Sequence, residues 1–137
     1  MRIVGIIPAR LASTRFPGKP LAPILGMPMI GHVFYRARMS QRLEQVYVAT
    51  CDRQIAEYAD SIGAPRIMTA PAHERASDRT AEALLEIEHR TGVRFDIVVM
   101  IQGDEPMVMP DMIDQAVTAL IEDPSIPVSN LMSELRS

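Results

Sequence analysis

Ile3-Val4-Gly5-Ile6-Ile7-Pro8, running directly into Ala9-Arg10-Leu11-Ala12-Ser13-Thr14-Arg15-Phe16-Pro17-Gly18-Lys19-Pro20-Leu21, decides how the rest of this chain is read. The first six residues are a short, β-branched apolar run, the pattern of a strand covered on both faces. What leaves that strand is of another kind. Between Pro8 and Leu21 lie three cations, two hydroxyls, a glycine and three prolines. Proline stiffens such a loop, glycine lets it turn, and Arg10, Arg15 and Lys19 give it a positive field. That suits a polyphosphate. A solvated surface loop has the same composition, and the position straight after the first strand is what favours the phosphate reading. Neither G-x-x-x-x-G-K-[ST] nor G-x-G-x-x-G is present, so two familiar glycine-rich phosphate loops are excluded.

Outward from this stretch, strand and helix patterns alternate. Met29, Ile30, Val33, Phe34 and Ala37 have helical spacing and predict a helix over 28–39. Val46-Tyr47-Val48-Ala49-Thr50 predicts a strand within 44–50, and Ile55, Ala56, Ala59 and Ile62 a helix over 53–62, with Gly63 at its end. A short strand is expected at 66–69. Ser77 or Asp78 is expected to cap a helix running to about residue 90, with Gly92 just beyond it. Ile97-Val98-Val99-Met100-Ile101 is the most hydrophobic strand, within 96–101, and a helix with Pro110 in its first turn follows over 110–121. Alternation of this kind predicts one α/β domain, a mostly parallel sheet with helices on both faces. Ile126-Pro127-Val128-Ser129-Asn130-Leu131 has the look of a further strand beginning.

Ligands of such sheets bind beyond the C-terminal ends of the strands. That rule lines up four segments along one edge: 9–19, Cys51-Asp52, 69–79 and 102–106. In the first, Arg10 and Lys19 are the expected phosphate contacts, with Ser13 and backbone N–H groups around Leu11 as further donors. Arginine grips a phosphate with two parallel bonds; lysine offers a point charge. In the last, Gln102-Gly103-Asp104-Glu105-Pro106 follows the strongest strand. A carboxylate placed there can hold Mg²⁺ against substrate phosphates, and Asp104 is the first candidate, with Glu105 the alternative. Between them, His73-Glu74-Arg75-Ala76-Ser77-Asp78-Arg79 reads first as a helix start, with Arg79 able to face the site. His73 has no Cys or His neighbour at zinc-site spacing, and Cys51 has no adjacent base to make it a nucleophile. His32 and His89 fall on helices and read as surface residues.

Composition bounds the rest. At 137 residues and 47% apolar, one domain with a genuine core is expected, burying roughly 70% of its unfolded surface. No run reaches the length of a membrane span, so no membrane partner is expected. The net charge of −3 speaks against nucleic acid. A single cysteine, Cys51, excludes an internal disulfide, and a cytoplasmic location is expected.

The stretch from Ile6 to Leu21 closely resembles the opening of the 3-deoxy-manno-octulosonate (Kdo) cytidylyltransferases, also called CMP-Kdo synthetases. Pro28-Met29-Ile30-Gly31-His32-Val33, Val48-Ala49-Thr50 with Asp52, and Ile101-Gln102-Gly103-Asp104-Glu105-Pro106 follow in that family's order. The resemblance runs from residue 2 to about residue 120. It implies a Rossmann-like sheet of the nucleotide-diphospho-sugar transferase type and Mg²⁺-dependent transfer of CMP from CTP to Kdo for lipopolysaccharide assembly. It implies that Ala9, Arg10, Leu11, Ser13, Lys19, Ser77 and Arg79 bind CTP, that Arg10, Lys19 and Asp104 serve catalysis, that Asp104 holds the metal, and that Gln102 meets the sugar acid. A homodimer is implied for a full-length form. The chain departs from the family at Arg75-Ala76, where a serine–glycine pair is usual, and at Cys51, where an aspartate is common. Family members are nearly twice as long, and their second half carries another metal-binding aspartate. The expectation is therefore a fragment or a truncated homologue. A cytidylyltransferase for a sialic-acid-like sugar, and a nucleotide-binding remnant without turnover, remain the alternatives.

Overall fold

The structure is a computed structural model that describes residues 2–11, 19–71, 75–102 and 110–122. In chain order its elements are β1 (Ile3–Ala9), a 3-10 turn (Lys19–Leu21), β2 (Pro23–Ile24), β3 (Met27–Pro28), α1 (Met29–Arg38), β4 (Gln45–Thr50), α2 (Arg53–Ser61), β5 (Arg66–Met68), α3 (Ala76–Thr91), β6 (Ile97–Met100) and α4 (Pro110–Glu122). Each strand and helix expected from the sequence over these residues forms, to within a residue or two at its ends.

The main sheet has four strands in the order β5-β4-β1-β6. All three pairings are parallel, with Ala9 opposite Thr50 and Ile6 opposite Met100. Alternation along β1 sorts its side chains between two cores. Ile3, Ile7 and Ala9 join α1, α2 and α4 through Ile30, Val33, Phe34, Ile55, Ile113 and Val117. Val4 and Ile6 point the other way and pack on Ala83 and Ile87 of α3. Helices thus cover both faces, which is why β1 is buried at every position.

The strand order carries a functional consequence. The chain moves from β1 outward through β4 to β5, then returns to place β6 on the other side of β1. Strand order therefore reverses between β1 and β6. In open α/β sheets the ligand crevice lies at such a reversal, beyond the C-terminal strand ends. The loop after β1 and the segment after β6 leave the sheet at that point.

Two local features differ from the sequence expectation. Helix α3 begins one residue before Ser77; its N-cap is Arg75, with extended backbone and no side-chain capping bond. Ser77 and Asp78 therefore lie in the first turn, exposed, and Asp78 acts there only as a charge near the positive end of the helix. Gly92 closes the helix in the left-handed conformation, as the sequence indicates. The second difference is an antiparallel hairpin of β2 and β3, whose strands of two residues are too short to leave a periodic signal. Its turn places Leu25 at φ 53° and Gly26 at φ 82°. Positive φ at both positions matches the tight hairpin turn that favours Asn-Gly. Leu25 is 96% exposed and gains nothing from packing there. Leu25→Asn is expected to stabilise the chain by about 0.5–1 kcal/mol, because left-handed backbone is costly for leucine and mild for asparagine. Urea unfolding should show a higher midpoint at unchanged slope; an unchanged or lower midpoint contradicts the strain.

Candidate functional site

The edge formed by the strand exits is braced by hydrogen bonds between neighbouring exits. At the exit of β1, Arg10 is half-buried and Leu11 packs partly against the larger core. The Leu11 backbone N–H donates to Asp52 Oδ2 at 2.7 Å. Asp52 follows β4, and its own N–H donates to Thr50 Oγ1 at 3.0 Å. The first turn of the cationic loop is thus tied to the neighbouring strand's exit. The far end of that loop is fixed as well. Met29 N donates to the Ala22 carbonyl at 2.9 Å. His32 Nε2 lies 2.6 Å from the Ile24 carbonyl oxygen; a carbonyl can only accept, so this nitrogen carries the proton. His32 is therefore a half-buried pin between α1 and the hairpin, rather than the surface residue expected from its helical position.

The exits of β4 and β5 are joined by Thr69 N donating to the Thr50 carbonyl at 2.9 Å. Arg79, expected to bind CTP, is only 2% exposed. Its Nη1 donates to Thr69 Oγ1 and, at 3.3 Å, to the Ala70 carbonyl. The Ala70 N–H in turn donates to Glu82 Oε1 at 3.1 Å. The segment leaving β5 is therefore gripped by α3 through one buried cation and one carboxylate. Ser77, two residues earlier on the same helix, is exposed.

On the other side of β1, Ile101 N donates to the Ile6 carbonyl at 2.9 Å and carries the β6 pairing one residue further. Gln102 follows, half-buried, just past the last β6 pairing. Arg10 and Gln102 thus leave adjacent strands on either side of the reversal, the juxtaposition that the sequence reading required. Ala9 lies directly before Arg10, buried in the larger core. Ser13, His73, Asp104, Glu105 and the 126–131 segment lie outside the described residues, as does the side chain of Lys19, whose backbone opens the 3-10 turn. Among the described residues no group of three or more His, Cys, Asp or Glu side chains is placed to hold a metal ion. No helix among them is long and apolar enough to cross a membrane.

Sequence reasoning placed Asp52 and Thr69 on the ligand edge without giving their side chains a role, and did not single out Glu82. Asp52 stood on the expected edge, but nothing local in the sequence says what its side chain would hold. Thr69 and Glu82 had no signal, since their roles depend on which helix lies beside which strand exit.

A family model described as "Cytidylyltransferase" matches residues 4–137. The 3-deoxy-manno-octulosonate cytidylyltransferase of Geobacter metallireducens is 44% identical over 137 residues, 100% of this chain and 52% of that protein. The enzyme of the same name from Zea mays is 46% identical over 135 residues, 98% of this chain and 44% of its own length. Among solved structures, a CMP:2-keto-3-deoxy-manno-octonic acid synthetase complexed with CTP superposes with a TM-score of 0.82 at 39% identity, covering 93% of this chain and 50% of that one. The chain spans about half the length of the curated relatives it matches.

Proposed function

We propose, from a chain that belongs to the cytidylyltransferase family over residues 4–137, that it forms the CTP-binding half of an enzyme transferring CMP from CTP to Kdo, with release of pyrophosphate. The observation that carries this reading is the reversal of strand order between β1 and β6, with Arg10 leaving one strand and Gln102 the other. A relative complexed with CTP and relatives named for Kdo support the choice of substrates.

In this reading the anomeric hydroxyl of the sugar acid attacks the α-phosphate of CTP in line. The new P–O bond forms as the bond to the bridging oxygen breaks, and pyrophosphate leaves carrying the charge. Arg10 and Lys19 hold the triphosphate and neutralise that developing charge. Positioning supplies much of the remaining acceleration. Gln102 offers an amide to the sugar acid. Mg²⁺ would be held through Asp104. The ion usually takes one or two protein carboxylates together with substrate phosphates and water, so one acidic segment after β6 fits it without a ready-made cluster. When bound, the ion supplies positive charge against the phosphates. CTP and the sugar acid are the proposed partners, and the proposed location is the cytoplasm.

The test separates binding from turnover, because the chain spans half of its relatives. CTP with Mg²⁺ is titrated calorimetrically, and pyrophosphate release is followed with Kdo and with a sialic acid. CTP binding together with release on Kdo alone supports the full reading; release on sialic acid alone overturns the sugar assignment. Absence of CTP binding overturns the nucleotide assignment. Lys19→Ala is expected to weaken CTP binding about 10- to 100-fold, the equivalent of one charged hydrogen bond of roughly 1.5–3 kcal/mol. Unchanged affinity removes Lys19 from the site.

A further inference from the structure

We propose that Asp52 is a positioning residue: its carboxylate fixes the first turn of the loop after β1 so that the loop presents its remaining donors to the triphosphate. The proposal rests on the nucleotide reading above and adds to it a residue outside the expected contact set.

Three observations carry it. First, parallel pairing sets Ala9 opposite Thr50, so residues 10–11 and 51–52 leave the sheet side by side. A carboxylate two residues past one strand is then in reach of an amide two residues past the other, and Asp52 Oδ2 stands 2.7 Å from Leu11 N. A short bond from an amide to an ionised acceptor is of the stronger kind. Second, Asp52 occupies the N-cap position of α2, with extended backbone at φ −98° and ψ 123°. An aspartate there ordinarily turns its side chain onto the helix's own first amides. This one makes no capping bond. Its side chain is spent on the loop instead. Third, Asp52 is itself held, through its N–H on Thr50 Oγ1, and Thr50 is fully buried. The tether therefore ends on the sheet.

The charge is informative too. A carboxylate beside an anion-binding loop works against the anion unless it does something else. Here the amide of Leu11 donates to the carboxylate, and Asp52 sits at the positive N-terminal end of α2; both offset its charge. A consequence follows for Leu11: its N–H is committed to Asp52. The phosphate donors of the loop must then come from beyond Leu11 and from the side chains of Arg10 and Lys19.

Asp52→Asn keeps an acceptor for the Leu11 amide without the charge, whereas Asp52→Ala removes the acceptor. Two measurements on the full chain separate the outcomes. Amide hydrogen exchange at Leu11 should accelerate at least about tenfold in Asp52→Ala and stay near the wild-type rate in Asp52→Asn, because only the first loses the bond. CTP affinity with Mg²⁺ should fall roughly tenfold in Asp52→Ala and remain within about threefold in Asp52→Asn, a partial loss because the cations stay present. A purely structural role would lower the melting temperature and leave the affinity of the folded chain unchanged in both variants; that result overturns the proposal. Equal weakening in both variants overturns it as well, since the bond would then not be what matters. Wild-type protein that fails to bind CTP overturns the nucleotide reading and the positioning role together. Wild-type binding with an unaffected Asp52→Ala overturns the positioning role alone.

Discussion

Asp104→Ala is expected to give a chain that folds and binds CTP weakly, with binding that no longer responds to Mg²⁺. Asp104 lies two residues beyond Gln102 in the sequence, and Gln102 follows β6 at the strand-order reversal. The described residues offer no cluster of three or more metal-ligating side chains. In the proposed function the protein's share of the metal contact is assigned to Asp104. Loss of even an outer partner of a metal ligand commonly costs about 10- to 100-fold in affinity, so loss of a direct carboxylate should cost at least about a hundredfold in the Mg²⁺-dependent increment. Calorimetric titration of CTP with Mg²⁺ and with EDTA measures that increment directly. Wild-type protein should show a large difference between the two conditions and Asp104→Ala none. Glu105→Ala is the internal control: if it loses the increment while Asp104→Ala keeps it, the ligand is Glu105.

The parts of this molecule that the sequence made legible are those governed by local pattern. β1 and β6 are continuous apolar runs because both faces of each are covered, and a run of that kind is visible without knowing what covers it. The helices announce themselves by spacing, and Gly92 ends α3 because its backbone must turn left-handed there. The edge rule for parallel sheets then placed Arg10 and Gln102 together without any knowledge of strand order. What pattern did not reveal is how the exits are braced. Arg79 reads as a free cation in sequence because its burial depends on α3 crossing the exit of β5. The role of Asp52 was not legible because the amide it holds, Leu11, is 41 residues away in the chain and becomes adjacent only through the parallel register. The hairpin at Leu25 was invisible for a different reason, since two-residue strands contain no period. The motifs that resemble a known family filled part of this gap, for they carry residue identity where periodicity carries only shape.

Arg79→Ala should show which kind of residue this cation is. Its guanidinium is buried, donating to the Thr69 hydroxyl and to the Ala70 carbonyl, and that segment is held from the other side by Glu82. Truncation leaves a cavity and deprives the buried Thr69 hydroxyl and the part-buried Ala70 carbonyl of a donor. Each stranded polar group costs about 1–3 kcal/mol, and the cavity adds to it, so a loss of about 3 kcal/mol is expected. For a chain of this size that lowers the melting temperature by on the order of 10 °C. Arg79→Met, which refills much of the volume without restoring the bonds, should recover only part of the loss. Arg79→Lys should also fall short, because an ammonium on a shorter stem does not reach the place from which Nη1 serves both acceptors. A direct role on CTP makes the opposite forecast: affinity drops about tenfold or more while the melting temperature holds. Melting scans and CTP titrations of the same three variants decide between them. The burial of Arg79 and its grip on the β5 exit favour the first outcome, in which the loop from Thr69 onward loses its anchor and CTP affinity falls only as far as the loop's order is lost.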